Sequence, residues 1–286
     1  MRELRVGVRR AGVGTRLTVV VATMLACGVS RIAAGQADAS AFAVSATHPV
    51  EPRDVSSRLP FVTGERLVYR VRIGGMGAVG KGEMSISGPV DVRGVEVLVL
   101  RSEMRGRVGP FSGVGRTQSW LDTDRMAALR FVKDERSVFS RHRDSVEVFP
   151  EIRRWMAADR SSGATPTGAP LDELSFIYFI RTLPLTADTT FEVNRHFDAD
   201  RNPVGLRIIG RDTISTKAGV FQTVVVEMRV KDPRHYRGEG VIRVHLTDDD
   251  CRLPVRIEST IPDIGKTVLT LESVIRPDGR CFARDS

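Results

Sequence analysis

A glycine-rich segment early in the ordered sequence has the spacing of a phosphate-binding loop. Residues 75–82 read GMGAVGKG, which matches GxGxxG and nearly matches GxxxxGK[ST]. A phosphate loop needs Ser or Thr after its lysine to hold magnesium, and Gly82 stands at that position. Both motifs also need a following helix whose amino terminus binds phosphate, whereas residues 83–87 alternate like a strand. The segment therefore predicts a glycine-containing hairpin and no nucleotide cofactor.

An acidic segment further along the chain has the spacing that opens a calcium loop. Asp198, Asp200 and Asn202 stand at its first, third and fifth positions. Pro203 occupies the place where the sharp turn of such a loop requires glycine. Ile209 occupies the place of the bidentate glutamate. The segment therefore predicts a structural turn and no metal site.

The other residues that could do chemistry are scattered. The five histidines show no metal-ligand spacing, and the sequence contains neither a GxSxG elbow nor an HExxH helix. Three consecutive aspartates at 248–250 are typical of a solvated hairpin end. The sequence therefore predicts no catalytic residue and a protein that is not an enzyme. An enzyme whose carboxylates meet only in the folded chain is an alternative. The histidines are His48, His142, His196, His235 and His245.

The first 35 residues have the features of an export signal. Five arginines lie between Arg2 and Arg16, and Leu17–Val29 is apolar but short for a bilayer span. Small residues at 33–35 offer a cleavage site before Gln36. We predict a signal peptide over residues 1–35, with a retained membrane anchor as the alternative.

The leader also bears on lipidation and on charge. Residues 24–27 (MLAC) resemble the lipobox of bacterial lipoproteins, so lipidation of Cys27 is an alternative to simple secretion or release into the periplasm. The leader holds six Arg and one Glu, a net +5, which leaves +3 of the total +8 for the mature chain. That balance gives no electrostatic case for binding nucleic acid.

Two cysteines remain after export, Cys251 and Cys281. In an oxidising compartment they could form a disulfide, and two separate thiols are the alternative. The loop closed by the disulfide would contain about thirty residues, for which chain entropy predicts a stabilisation of roughly 3–4 kcal/mol.

Most of the remaining sequence alternates between apolar and polar residues, which is typical of half-buried strands. Residues 36–58 lack this periodicity and predict a disordered tether. Strands are predicted near 66–73, 82–88, 94–104, 113–121, 127–135, 143–149, 189–197, 204–214, 219–230, 238–247, 253–260 and 266–275, with a flexible loop at 158–168.

One strong helix signal separates the two runs of strands. Asp172 can cap a helix and Pro184 must stop it. The helix is apolar nearly all round, so it must be buried on more than one side, and we expect it to lie across a curved sheet. Its Leu174, Ile177 and Tyr178 face is expected to be the better packed one. The candidates for lining a groove are Phe176, Phe179, Ile180 and Leu183.

Five segments, in this order and spacing, resemble an exported bacterial family, domain of unknown function 3108. They are residues 64–69 (GERLVY), Asp172 with 174–181 (LSFIYFIR) and 183–185 (LPL), 216–221 (TKAGVF), 253–257 (LPVRI) and Gly265. The resemblance covers residues 60 to 275, although Pro170 precedes Asp172 where the family has an Asp-Pro pair. It implies an envelope protein with a mostly antiparallel fold, similar to the half-barrels of lipoprotein carriers. It brings no catalytic residues.

These observations predict a mainly β fold. A strongly curved antiparallel sheet of about ten strands would form a half-barrel or open barrel, with one buried helix across its concave side. The predicted organisation is a signal peptide over 1–35, a tether over 36–58, a single β-rich domain over 59–276 and a C-terminal tail over 277–286.

The predicted function is non-catalytic binding of a lipid, a lipoprotein acyl chain or another apolar or amphipathic ligand in the cell envelope. A structural protein of the envelope, whose helix only fills the core, is the alternative from another class. An enzyme that acts on envelope glycans or lipids is the second alternative. We expect a periplasmic or secreted location, with no metal or cofactor. The membrane would be reached only by proximity or through a lipid anchor, and the sequence does not define the oligomeric state.

The leader can be tested directly. N-terminal sequencing of protein recovered from the envelope or the medium should begin near Gln36 or Ser40, or at a lipidated Cys27. An intact Met1 on folded protein in the cytoplasm would contradict export.

Overall fold

The computed structural model describes residues 59–281, except for 75, 139, 187–188, 234–235 and 263–264. The predicted signal peptide, the tether, Cys27 and the last five residues of the predicted tail therefore lie outside the described residues.

The described chain forms one antiparallel sheet of fourteen strands. The strands are β1 (Arg66–Ile73), β2 (Gly77–Val92), β3 (Val95–Val108), β4 (Phe111–Asp122), β5 (Ala127–Ser137), β6 (Arg141–Phe149), β7 (Arg154–Ala157), β8 (Ser162–Ala164), β9 (Thr190–Val193), β10 (Val204–Thr216), β11 (Gly219–Lys231), β12 (Glu239–Thr247), β13 (Pro254–Ile261) and β14 (Gly265–Ile275). Among the described residues, the other elements are one α-helix, α1 (Glu173–Thr182), and short 3-10 helices at Pro150–Ile152 and Ala199–Arg201.

The sheet consists of two meanders that meet at its centre. Its strand order is β8-β7-β6-β5-β4-β3-β2-β1-β14-β13-β12-β11-β10-β9, so the first strand pairs with the last. The edge strands are β8 and β9, and the chain that joins them contains α1. The sheet is strongly curled. Three strands separate β10 from β14, yet Lys217 in the β10–β11 turn lies 3.2 Å from Glu272 of β14.

The predicted fold class is confirmed, but the predicted strand number of about ten is too low. The short strands β7 and β8, at one edge of the sheet, are absent from the prediction. In β7 only Trp155 is buried, and β8 reads Ser-Gly-Ala inside the segment predicted as a loop, so neither shows a sustained alternation.

The glycine-rich segment forms a β-hairpin, as predicted, with Ile73 of β1 opposite Gly77 of β2. Glycine is required at Gly80, since a Cβ atom there would lie 2.0 Å from the carbonyl oxygen of Arg105 on the neighbouring strand. Gly80 therefore allows β2 and β3 to approach each other closely.

Local sequence explains where α1 begins and ends. The Asp172 carboxylate accepts hydrogen bonds from the amides of Leu174 and Ser175, both at 2.9 Å, and the Ser175 hydroxyl accepts one from the Asp172 amide at 2.8 Å. This reciprocal cap satisfies amides that the first turn leaves unbonded. Leu183 has extended backbone and precedes Pro184, which cannot continue a helix. The predicted helix is confirmed with bounds within one residue.

The chain leading into α1 connects the two meanders. The Pro170 carbonyl accepts a hydrogen bond from the amide of Ala128 in β5, at 2.8 Å. Leu171 then forms a parallel bridge with His196, and its carbonyl accepts from the amide of Phe197 at 2.9 Å. The residues that precede α1 are thus hydrogen-bonded to β5 of the first meander and to the β9–β10 connection of the second.

The helix lies within the main apolar core. Eight of its ten residues are buried, and among them Phe176, Ile177, Phe179 and Ile180 are at most 6% exposed. The same core contains inward-facing residues of both meanders, such as Leu100 of β3 and Val226 of β11. In the described part of the chain, no helix is long and apolar enough to cross a bilayer.

Truncation of Phe179 tests the role of the helix. Its ring packs edge-to-face on Phe176 with centroids 6.0 Å apart, and the Arg195 guanidinium lies 4.7 Å from its centroid. Phe179→Ala should lower the free energy of unfolding in urea by about 3–5 kcal/mol, because it deletes a buried ring and leaves a cavity. Ile152→Ala is the control, since Ile152 is 65% exposed. Equal costs for the two variants would show that α1 is not part of the packed core.

Candidate functional site

An apolar cavity of about 80 Å³ lies between α1 and the inner face of the sheet. The helix contributes Glu173, Phe176 and Ile177, while the first meander contributes Met84 and Met104. The second meander and its connections supply the other lining residues. These are His196, Arg201, Val204, Met228, Val230, Lys231, Tyr236, Ile242, Ile257, Ser259, Ile261 and Leu269.

One wall of the cavity is charged. The Arg201 guanidinium forms an ion pair with Glu173 at the start of α1, and its Nη2 lies 3.2 Å from the carboxylate of Asp232. Burial raises the pKa of Glu173 above its ordinary value, while the positive charge of Arg201 opposes this rise. The wall therefore combines a cation with carboxylates at the edge of an otherwise apolar space.

The segment with calcium-loop spacing builds this wall and forms a turn, as predicted. The Asp198 carboxylate accepts from the amide of Asp200 at 3.2 Å and begins the 3-10 helix that carries Arg201. The Asn202 amide group donates to the carbonyls of His196 and Asp198, at 2.9 and 3.0 Å. The Asn202 side-chain oxygen accepts from the amide of His196 at 3.0 Å, so the side chains of Asp198 and Asn202 shape the turn.

A buried ionic cluster fixes the other end of the helix. The Arg181 guanidinium donates to both carboxylate oxygens of Glu65, at 2.6 and 2.9 Å, and Arg276 donates to the same carboxylate. Arg181 also donates to the carbonyls of Pro60 and Cys251, at 3.1 and 3.0 Å. Glu65 and Arg181 are at most 2% exposed. This cluster joins the start of β1, the end of α1 and the segment after β14.

The cysteines lie beside this cluster. Cys251 and Cys281 form a disulfide in the structure, with Cα atoms 6.1 Å apart and a sequence separation of 30. Asp249 is near both sulfurs, but its Oδ1 accepts hydrogen bonds from the Thr247 hydroxyl and the Cys251 amide, at 2.7 and 2.9 Å. The carboxylate therefore supports the turn, and the bonded sulfurs are not thiolate ligands for a metal.

The amino-terminal cap of α1 carries a carboxyl group with a perturbed pKa. Asp172 is fully buried, and its Oδ2 accepts from the hydroxyl of Ser119 in β4 at 2.5 Å. Burial raises the pKa of Asp172 to about 7, although the hydrogen bonds from Ser119 and Ser175 work in the opposite direction.

The predicted groove-lining residues divide into two groups. Phe176 lines the cavity, whereas Phe179, Ile180 and Leu183 are buried in the main core and do not line it. Ile177 also lines the cavity, although it lies on the face that was expected to be better packed.

His245 of β12 is only 7% exposed. Its Nδ1 lies 3.6 Å from a carboxylate oxygen of Asp212, and its Nε2 lies 4.0 Å from one of Glu258. Burial lowers its pKa, against the attraction of Glu258. The cavity lies elsewhere, so His245 is not part of the candidate site.

The sequence did not identify the charged groups around the helix. Arg181 carried the missed signal, because an arginine in a helix that is apolar nearly all round needs a buried acidic partner. Glu65, directly before the first strand, is that partner. The Glu173–Arg201 pair gave no such signal, since an acidic residue is ordinary in the first turn of a helix and Arg201 stands in a polar turn sequence.

Comparison with known proteins identifies one family over most of the chain. The model of the family described as "Protein of unknown function (DUF3108)" matches residues 68–272. No curated protein matches the chain.

Three solved structures align with the chain at low identity. A beta-barrel-like protein of the domain of unknown function DUF1849 from Brucella abortus is 12% identical, with a TM-score of 0.49 over 74% of this chain and 97% of that chain. A candidate exported protein with YmcC-like fold from Bacteroides fragilis is 12% identical, with a TM-score of 0.32 over 76% and 98% of the two chains. A candidate lipoprotein from Parabacteroides distasonis is 9% identical, with a TM-score of 0.29 over 76% and 97%.

Asp172 makes a testable contribution to pH dependence. Its folded pKa of about 7 lies above the ordinary value of 3.8, so between these values the folded state retains a proton that the unfolded state releases. The stabilisation is therefore complete below about pH 4 and is lost as the pH rises through 7, by at most about 4 kcal/mol. Urea unfolding at pH 5 and pH 8 should show that wild type loses stability relative to Asp172→Asn at the higher pH.

Asp278→Asn is the control for this measurement. The hydrogen bond from Arg276 lowers the pKa of Asp278, so its titration lies below pH 5. The difference between wild type and Asp278→Asn should therefore be the same at pH 5 and pH 8. A constant difference for Asp172→Asn as well would show that Asp172 stays ionised in the fold.

Proposed function

We propose that this chain, which belongs to the DUF3108 family of proteins of unknown function, is an exported envelope protein that binds a lipid or another apolar or amphipathic ligand without catalysing a reaction. The observation that carries this proposal is the cavity between α1 and the inner face of the sheet. Cavities that bind small ligands are mostly apolar with a few placed polar groups, and this one has that composition.

The polarity of the lining supports an amphipathic ligand. Phe176, Ile177 and Ile257 present apolar surface, while Arg201 and Lys231 lie at the border of the cavity. A ligand with an apolar tail and a polar head would match both parts. Its tail would contact the helix and the sheet, and its head would lie near the charged groups.

Three methionines suit the cavity to ligands of variable shape. Met84, Met104 and Met228 come from different strands and all line it. Their unbranched thioether side chains change shape at low cost, which is typical of surfaces that accommodate several apolar partners.

The volume limits how much of a ligand is enclosed. Since one water needs about 10–15 Å³ on this measure, 80 Å³ holds the end of an acyl chain and not a whole lipid. The remainder would lie along Val230 and Ile242, which line the cavity and are half-buried.

The arrangement of the carboxyl groups supports binding over catalysis. Glu173 is neutralised by its ion pair with Arg201, and Asp172 is used in the helix cap. Asp172 does not line the cavity, and Glu173, which does, is held by Arg201. The alternative is an envelope structural protein, which the burial of α1 in the main core favours.

A cavity-filling substitution distinguishes binding from a purely structural role. Val204 is 3% exposed and lines the cavity, so Val204→Phe should fill it. Mass spectrometry of lipids extracted from protein purified from its native envelope should detect a bound lipid in wild type. At least a several-fold decrease is expected in the variant, because the larger ring occupies the binding volume.

Val220→Phe is the matched control, because Val220 is 68% exposed and distant from the lining residues. It should retain the lipid content of wild type, and thermal unfolding should show that all three proteins are folded. Wild-type protein without bound lipid, or equal lipid in Val204→Phe, would refute ligand binding in this cavity and favour the structural role.

A further inference from the structure

Three hairpin turns lie side by side at one end of the first meander. They are the turns at 73–77, 108–111 and 137–141, and we refer to them with the adjoining strand residues as the hairpin end. The register places Gly80 opposite Gly106, Gly106 opposite Gly113 and Gly113 opposite Ser137. All three turns therefore lie at the same end of the sheet, with the first two extending a few residues further than the third.

The hairpin end is rich in exposed cations. Within the described part of the chain, no carboxylate lies within 4.0 Å of the side-chain nitrogens of Arg72, Lys81, Arg107 or Arg143, and all four residues are exposed. The register also places Lys81 directly opposite both Arg70 and Arg105. Like charges opposite each other destabilise a sheet. Arg70 and Arg105 are compensated by ion pairs with Glu272 and Glu103, whereas Lys81 forms no ion pair with a described residue.

The nearby acids are already paired. Glu103 forms ion pairs with Arg105 and Arg116, at both of its oxygens. Asp134 is 2.8 Å from Arg136. The hydrogen bond from Arg136 lowers the pKa of Asp134, and the charge of Arg143, which stands opposite Asp134, helps to lower it, but the ion pairs of Asp134 are with other arginines. The four cations outnumber the remaining carboxylates, so this end has a positive excess.

Two of the turns also expose apolar side chains. Met76 in the first turn is 38% exposed, and Val138 in the third is 60% exposed. Both residues stand beyond the ends of the strands, among the cations described above. Apolar tips surrounded by arginines fit a bilayer interface, where the tips enter the boundary region and the cations meet lipid phosphates.

We propose that the hairpin end docks on the surface of an anionic lipid bilayer, through Arg72, Arg107 and Arg143 at the phosphates and Met76 and Val138 at the interface. The charge complementarity and the exposed apolar tips on the same three turns carry this inference. Docking does not depend on the proposed ligand-binding function.

The position of the cavity relates the docking surface to ligand binding, a step that rests on the proposed function. Lys231 and Ile261 line the cavity at the ends of β11 and β13. Because β14 pairs antiparallel with both β1 and β13, these ends lie at the same end of the sheet as the 73–77 turn. A docked protein would therefore present this part of its cavity to the lipid.

Vesicle sedimentation tests the docking surface. The purified protein should sediment with vesicles of phosphatidylcholine containing phosphatidylglycerol, and not with phosphatidylcholine alone. Each basic residue near an anionic surface raises the partition coefficient about five-fold, so R72Q/R107Q/R143Q should reduce it by about a hundred-fold at low salt. M76S/V138S should also reduce it, because the apolar contribution is lost.

The matched control is R101Q/R154Q/R160Q, which removes three exposed arginines outside the hairpin end. It should bind clearly better than R72Q/R107Q/R143Q. Equal binding by the two triple variants, or no preference of wild type for phosphatidylglycerol, would overturn the proposal. So would unchanged vesicle binding by M76S/V138S together with equally strong binding of wild type to dextran sulfate, because that result indicates a soluble polyanion. Since these measurements do not involve the cavity, they can fail or succeed independently of the lipid content measured for Val204→Phe.

Discussion

The carboxylate of Glu65 is the group on which the arrangement of the chain depends. It accepts hydrogen bonds from Arg181 at the end of α1 and from Arg276 after the last strand, and all three residues are buried. Both arginines also donate to the carbonyl of Pro60. Removing water from three charges is costly, and bidentate geometry with added carbonyl acceptors offsets that cost. Loss of one partner would leave an uncompensated buried charge, at roughly 3–5 kcal/mol.

The attachment of α1 limits how far the helix could move if the proposed ligand entered the cavity. Arg181 holds one end to Glu65 and to the carbonyl of Cys251, while Asp172 holds the other end to Ser119 of β4. Phe176 lies between these two attachments and lines the cavity. With both ends of α1 fixed, the shape of the cavity changes most easily through side chains. The methionines in its lining are the residues best suited to such changes.

The sequence predicts the parts of this fold that depend on local pattern. Alternation with period two predicts the long strands, because each has one buried face, and a cap and a proline predict α1. The pattern fails at β7 and β8, which are the last two strands at one side of the sheet and are short, with little burial. It also cannot show that Glu65 meets Arg181 across 116 positions, or that Met104 and Met228 line one cavity. Those contacts depend on how two meanders curl around one helix, which no local window of sequence contains.

The two ends of the sheet interior differ in physical character. At one end, Ser119, Glu65 and Cys251 attach α1 across the strands. The disulfide beside this attachment restricts the last segment of the chain. At the other end, the half-buried lining residues Val230 and Lys231 lie at the end of β11. The helix thus lies at one end of the interior, and the apolar cavity extends from α1 towards the other end of the interior. The cations of the hairpin end lie at that other end. They would orient the molecule on an anionic surface, because such a surface attracts the end opposite α1.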